Sequence, residues 1–229
     1  EGIDPSYVFS DPKNPSGVAL ILVDDNAENS IAVASGSNSN LVTADIDNSL
    51  DAIENSEIVL MQLEIPIKTI EYAAQIAKSR GKMVILNPAP APTEPLPLSI
   101  LKNIDLITPN ETEAELISGI PVVDEPSAIA AAKRMAELGV KKIIITMGSK
   151  GAMLYEDGEA ELIPSIRVKA VDTTAAGDCF NGALTIAISE GRSLKDAVLF
   201  ANRAAAISVT RPGAQVSMPY RHEVDVANF

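Results

Sequence analysis

Val171-Asp172-Thr173-Thr174-Ala175-Ala176-Gly177-Asp178 runs without a break into the apolar pattern Phe180, Ala183, Leu184, Ala187, Ile188. Apolar residues at that spacing line one face of a helix, so Asp178 falls in the first turn. The first N–H groups of a helix have no partner inside it and form a cradle for anionic oxygens. A glycine there lowers helix propensity by ~1 kcal/mol relative to alanine; what it provides is room for a group to lie against the backbone. A carboxylate fixed beside such a cradle can take a proton from an attacking hydroxyl. An anion hole next to a carboxylate base is what phosphoryl transfer to an alcohol requires. Asp178 also suits a plainer purpose, offsetting the partial positive charge of the helix start.

Upstream of this stretch, strands and helices alternate. The apolar runs Ile58–Met61, Met83–Leu86, Ile104–Ile107 and Lys142–Thr146 read as strands. Between the first two, Pro66 fits a first-turn proline, Ile67, Ile70, Ala74 and Ala77 share a face, and Gly81 fits the stop. Ser193-Leu194-Lys195-Asp196 reads as a capping box opening a last long helix, which Arg211-Pro212-Gly213 ends. Such alternation predicts βαβ units, an α/β fold with a mostly parallel sheet flanked by helices. Residues 88–97 are rich in proline and read as a loop. Before Thr43 the pattern differs. Gly17–Val23 and Ser30–Ser35 read as two strands joined by the turn-rich stretch Asp24–Asn29, a hairpin. The chain therefore divides into β-structure over 1–42 and an α/β core over 43–229.

At 229 residues the chain can bury one sizeable core. With no Trp, four Phe and four Tyr, that core is aliphatic, as buried parallel strands demand. Its 31 acids against 18 bases give a net charge of −13, which disfavours nucleic acid and anionic membrane surfaces as partners. A phosphate site here must rest on local backbone donors and metal. Cys179 is the single cysteine, so no internal disulfide forms; it reads as a small helix residue packed inward. One histidine, His222, leaves neither a His-rich metal site nor a Ser/His/Asp triad. No apolar run approaches ~20 residues and no signal peptide is visible, so a cytoplasmic setting is expected.

Three further constellations carry chemistry. Asn110-Glu111-Thr112-Glu113 follows a strand, and Asn110 with Glu113 makes a reciprocal helix cap. Thr146-Met147-Gly148-Ser149-Lys150-Gly151 leaves a strand as a glycine-rich turn that lets backbone approach a ligand; it lacks the spacing of a Walker A loop. Glu64 sits at the C-terminal end of its strand, where α/β sheets place ligands, and is otherwise a loop carboxylate.

Asp172-Thr-Thr-Ala-Ala-Gly-Asp178-Cys-Phe-Asn-Gly-Ala-Leu184 resembles the C-terminal motif of the ribokinase-like (PfkB-type) carbohydrate kinases. Leu60-Met-Gln-Leu-Glu64, Leu86-Asn-Pro-Ala-Pro-Ala91, Ile107-Thr-Pro-Asn-Glu-Thr-Glu113, Thr146-Met-Gly-Ser-Lys-Gly151 and Ala206-Ile-Ser-Val-Thr-Arg-Pro-Gly-Ala-Gln215 follow in the family's order. The resemblance covers nearly the whole chain. It implies transfer of the γ-phosphoryl group of ATP to a sugar hydroxyl, the 5-hydroxyl of ribose, with Mg²⁺ and K⁺. Asp178 would be the base and the amides of Ala175, Ala176, Gly177 and Asp178 the anion hole. Glu64 would hold the sugar hydroxyls. Asn110 would lie near the nucleotide phosphates, and Glu113 would organise Mg²⁺ through water. Thr146, Gly148, Ser149, Lys150 and Gly151 would form the nucleotide loop, together with Gly177, and Asn202 would lie near the adenine. Asp172, Thr174, Ser208, Arg211, Gly213 and Ser217 would line a monovalent-cation loop, largely through backbone oxygens, although Arg211 equally suits a surface or capping position.

The family's N-terminal portion carries a sugar-binding Asp, a Gly-Gly-Lys-Gly-Ala-Asn motif and part of a lid sheet, none of which this sequence contains. The hairpin before Thr43 would be the remaining half of that lid, with open strand edges that invite association, and pairing of two copies through the lid is implied. The chain opens on Glu1-Gly-Ile-Asp-Pro5 without an initiator methionine. A piece of a larger protein is therefore expected, one that binds nucleotide without phosphorylating sugar by itself. Another acceptor within the family (fructose, a ketodeoxy sugar acid, a nucleoside) and a non-catalytic nucleotide-binding module remain as alternatives.

Overall fold

The computed structural model describes residues 2–23 and 29–227. Its centre is a six-stranded sheet in the order β3 (Ile58–Met61), β4 (Met83–Leu86), β5 (Leu106–Ile107), β6 (Lys142–Thr146), β7 (Ala152–Glu156), β8 (Glu159–Ile163). The first four strands pair in parallel, in sequence order; β7 and β8 return antiparallel. Leu106–Ile107 is shorter than the four-residue strand expected: the Ile104 amide donates to the Leu101 carbonyl, and the Asp105 carboxylate takes the Val84 amide in place of a strand carbonyl. The β7–β8 hairpin escaped the sequence reading although Asp157-Gly158, with φ of 52° and 89°, is its turn. Aspartate-glycine between apolar runs supplies the left-handed pair that a tight hairpin needs.

Side chains along a strand alternate between faces, and here each face meets its own helices. Val84, Leu86, Ile143 and Ile145 pack with α3 (Ile67–Ser79), α4 (Leu98–Leu101), α5 (Glu111–Ser118) and α6 (Glu125–Glu137). Ile85, Leu106, Ile144 and Leu154 pack on the opposite side against α7 (Ala176–Ser189), α8 (Leu194–Ser208) and α9 (Arg221–Val226). Every strand residue named here except Leu154 is fully buried. The result is a helix–sheet–helix sandwich with an aliphatic interior.

Helix ends differ in detail from the sequence expectation. Pro66 occupies the position before the first helical residue of α3, and Gly81 follows the helix in a left-handed conformation. At α8, Ser193 Oγ accepts from the Asp196 amide at 3.1 Å, but its hydroxyl donates to the Asp196 carboxylate, which leaves the cap one-sided.

β1 (Val18–Val23) and β2 (Asn29–Ala34) form a separate antiparallel ribbon. Residues 24–28 of the expected turn lie outside the described residues. A short 3-10 turn (Gly36–Asn40) and two short helices, α1 (Thr43–Asp47) and α2 (Leu50–Asn55), lead from the ribbon to β3.

Candidate active site

A cleft of about 1000 Å³ opens between the ribbon and the C-terminal ends of β3, β4, β5 and β6. Parallel α/β sheets place ligands at this end, where loops leave the strands. Glu64, Asn110, Glu113, Thr146 and Asp178 all line it, and from above so do Ala19, Ile21 and Val33 of the ribbon. The loop Thr146–Gly151 therefore enters only by its first residue; Gly148, Ser149, Lys150 and Gly151 stand outside the lining, as does Asn202.

At the start of α7 the backbone does something the sequence reading did not foresee. Ala175, not a glycine, takes the left-handed conformation, with φ 60° and ψ 15°. An L-residue there is strained by roughly 1–2 kcal/mol. Gly177 has an ordinary helical backbone, and a Cβ added to it would meet nothing within 4 Å. Its missing side chain leaves open space beside the cleft, not conformational freedom. No side chain caps α7. Among the described residues the amides of Gly177 and Asp178 find no acceptor. The Ala176 amide is already engaged, donating to the Thr173 carbonyl at 3.2 Å. The expected four-amide hole is thus narrower, with Ala176 turned to its own turn. Asp178 is exposed in the cleft and accepts from Gln62 Nε2 at 2.8 Å. Its carboxylate does not point into the apolar interior.

Across the cleft, α5 starts in the opposite manner. Asn110 Oδ1 accepts from the Glu113 amide at 2.8 Å, and Glu113 accepts from the Asn110 amide at 2.9 Å and from its side-chain amide at 3.0 Å. The reciprocal cap read from the sequence is present in full. Glu113 is only 5% exposed, and burial pushes its carboxyl above the usual glutamate range, partly countered by the Asn110 amide. An isolated parallel bridge ties Asn110 to Thr146, which also donates from its amide to the Pro109 carbonyl at 2.9 Å.

The glycine-rich loop resolves into two kinds of glycine. At Gly151, φ is 112° and an added Cβ would lie 2.1 Å from the Ile163 carbonyl, so that residue is fixed by packing against the end of β8. Gly148, with φ 53°, borders open space. Lys150 donates to Glu111 at 3.0 Å and to the Val123 carbonyl at 3.1 Å, which turns it onto α5. Asn202, buried on α8, donates to the Pro164 carbonyl at 3.3 Å.

Behind α7, Asp172 joins two loops. One carboxylate oxygen accepts from the Thr174 amide at 2.9 Å, the other from the Gly213 amide at 2.8 Å. Ser208 and Ser217 are buried, and their hydroxyls donate to the Ala205 and Ala214 carbonyls. Arg211 pairs outward with Glu223 at 2.6 Å, so its side chain is accounted for by that ion pair. The buried Thr174 hydroxyl lies beside the Asp172 carboxylate, and with the Gly213 and Thr174 amides it holds that carboxyl below the ordinary aspartate range.

Four polar residues near Asp178 went unnoticed in the sequence: Gln62, Asn87, Thr108 and Asn181. Gln62, Asn87 and Thr108 each follow directly on an apolar strand run, and Asn181 interrupts the apolar face of α7. A polar residue just past a buried strand was the available signal.

An open helix start and a carboxylate turned toward the same cleft make this a phosphotransferase architecture. Over residues 1–221 the chain matches the pfkB family carbohydrate kinases, and it belongs to that family. The ribokinase of Haemophilus influenzae is 46% identical over 223 residues, covering 97% of this chain and 72% of that protein. The ribokinase of Staphylococcus aureus is 41% identical over 224 residues, covering 97% and 73%. The structure of Arabidopsis thaliana ribokinase complexed with ribose and ATP superposes with a TM-score of 0.83 at 34% identity, over 93% of this chain and 69% of that one.

Proposed function

We propose that this chain, which spans 72% of the Haemophilus influenzae ribokinase it matches, supplies the phosphoryl-transfer site of an enzyme that phosphorylates D-ribose on its 5-hydroxyl with ATP, releasing ribose 5-phosphate and ADP. One observation carries this reading: Asp178 stands exposed in the cleft beside two amides, its own and that of Gly177, that find no acceptor among the described residues. The carboxylate accepts the hydroxyl proton as the sugar oxygen bonds to phosphorus, and the amides receive the charge that gathers on the transferring group. Glu64, at the exit of β3, is suited to hold the sugar hydroxyls. Asn110 and Thr146, bridged to each other, face the phosphates, and the open backbone at Gly148 and Ser149 leads the nucleotide away from the sheet toward Asn202.

No group of three metal-binding side chains occurs among the described residues. Glu113 alone, buried in the cleft wall, fits a Mg²⁺ that keeps most of its waters and is held mainly by substrate phosphates. Bound there, the ion would neutralise phosphate charge. The loop at Asp172 fits K⁺ by its donor set: the Ser208, Ser217 and Arg211 side chains are spent elsewhere, which leaves carbonyl oxygens as ligands.

The ribbon completes the proposal as a lid, the unit assigned to residues 1–42. Its inner face lines the cleft, and Leu20 and Leu22, outside that lining, are 69% and 74% exposed. Two large apolar side chains on one face of an open-edged ribbon suit a second copy of the chain. No helix among the described residues is long and apolar enough to cross a membrane; the need for ATP supports a cytoplasmic setting. The deciding experiment measures ADP release with Mg²⁺ and K⁺ against ribose, 2-deoxyribose, fructose and a nucleoside. Ribose is expected to give the highest kcat/KM, and a stronger response to any other acceptor would overturn the assignment.

A further inference from the structure

Asp178 is held by a ring of neutral polar side chains that no step above uses. Gln62 Nε2 donates to Asp178 Oδ1 at 2.8 Å and lies 3.4 Å from Asn87 Oδ1, its second acceptor. Asn87 Nδ2 donates to the Thr108 carbonyl at 2.9 Å. The Thr108 hydroxyl donates to Asn181 Oδ1 at 2.6 Å, and Asn181 Nδ2 donates to the Gly177 carbonyl at 2.9 Å. The ring leaves Asp178 and returns to the residue beside it, crossing the ends of β3, β4 and β5. Asn87, Thr108 and Asn181 are all buried.

The polarity of each link follows from chemistry. An ionised carboxylate and a backbone carbonyl only accept. Asp178 therefore requires the NH₂ end of Gln62, the Thr108 carbonyl requires the NH₂ end of Asn87, and the Gly177 carbonyl requires the NH₂ end of Asn181. With those ends fixed, the amide oxygens of Asn87 and Asn181 can only receive, and the Thr108 hydroxyl can only give in that direction. The amides and the hydroxyl do not titrate near neutrality, so the ring carries no proton. It fixes the direction of one N–H bond.

We propose that Gln62 is a positioning residue for the base: its amide, oriented by Asn87, Thr108 and Asn181, occupies Asp178 Oδ1 and leaves Oδ2 to receive the proton of the sugar hydroxyl. In the step, the acceptor O–H bond breaks and the new O–P bond forms. The bond from the γ-phosphorus to the bridging oxygen breaks, ADP leaves, and the proton rests on Oδ2. Oδ1 stays a hydrogen-bond acceptor throughout, so Gln62 need not reorganise. The same ring ends on the Gly177 carbonyl and so locks the base to the turn that presents the anion hole.

This inference rests on the proposed kinase reading, and its test separates the two. In the full chain, Gln62→Met should lower kcat about 10- to 100-fold, the scale of a lost hydrogen bond to a charged group, with KM for ATP and ADP affinity unchanged. Gln62→Glu keeps the shape but sets two carboxyls together. Its activity relative to wild type should climb as pH falls and the pair takes up a shared proton that can be donated across it. Independently of turnover, the side-chain NH₂ resonance of Gln62 should exchange slowly and move in Asp178→Asn. An inactive wild type with that resonance behaving as stated counts against the kinase reading alone. Wild-type kcat in Gln62→Met, a Gln62→Glu pH profile parallel to wild type, or a Gln62 resonance indifferent to Asp178→Asn overturns the positioning role.

Discussion

Two helices begin at the same cleft and begin differently. α5 closes its own start: Asn110 and Glu113 satisfy each other through three hydrogen bonds. α7 has no side-chain cap, a strained alanine before it and, among the described residues, no acceptor for the amides of Gly177 and Asp178. An unsatisfied helix start costs stability unless water or a ligand serves it. Finding both kinds at one cleft shows that the open end is not a failure of local sequence. The capped start is scaffold that presents a buried carboxylate; the open one leaves donors facing the cleft that suit an anion.

That contrast breaks first at Asp178. Asp178→Asn is expected to lower turnover about 10²- to 10⁴-fold, the usual contribution of a general base, with ADP binding by calorimetry retained. Retention of wild-type kcat would refute the assignment. Asp172→Ala, which unties Thr174 from Gly213 behind α7, should lower both the melting temperature and the stimulation of activity by K⁺ over Na⁺. A variant that melts early but keeps its full K⁺ response would separate the clip from the cation. Gly177→Ala sharpens the comparison most cleanly. The backbone there is helical and the space is open, so stability should rise by about 0.5–1 kcal/mol, while kcat/KM falls because the methyl group stands where phosphate approaches. Asn110→Ala should cost ~1 kcal/mol of stability through the lost cap and, since Asn110 is proposed to face the phosphates, raise KM for ATP.

The smallest effect is electrostatic. Burial raises the Glu113 carboxyl, so the native state holds that proton more tightly than the unfolded chain does. Its contribution is present below the ordinary glutamate value and is lost as pH rises to the raised native value. Glu113→Gln removes the titration and should flatten the stability profile in that window. Denaturant midpoints measured across it would reveal an unchanged slope if burial is not the cause.

Much of this architecture was legible beforehand. Hydrophobic period and helix punctuation located β3, β4 and β6, and the Asn110–Glu113 cap was readable because all its partners lie within four residues. The β7–β8 hairpin was missed although Asp157-Gly158 announces it. The ring at Gln62 could not be read, since its members are joined across 116, 25, 21 and 73 positions of sequence. The reading of Gly177 as room beside the backbone holds, since an added Cβ there meets nothing within 4 Å; Gly151 instead is fixed by packing against the Ile163 carbonyl, which only the folded chain reveals.

The alanine at 175 bears on how such a turn is kept ready. Glycine would fit its left-handed backbone with less tension, yet would let the segment sample many shapes between catalytic cycles. A methyl group there forfeits some folding energy and in return narrows the loop to few conformers, so that little reordering is left to do when the nucleotide arrives.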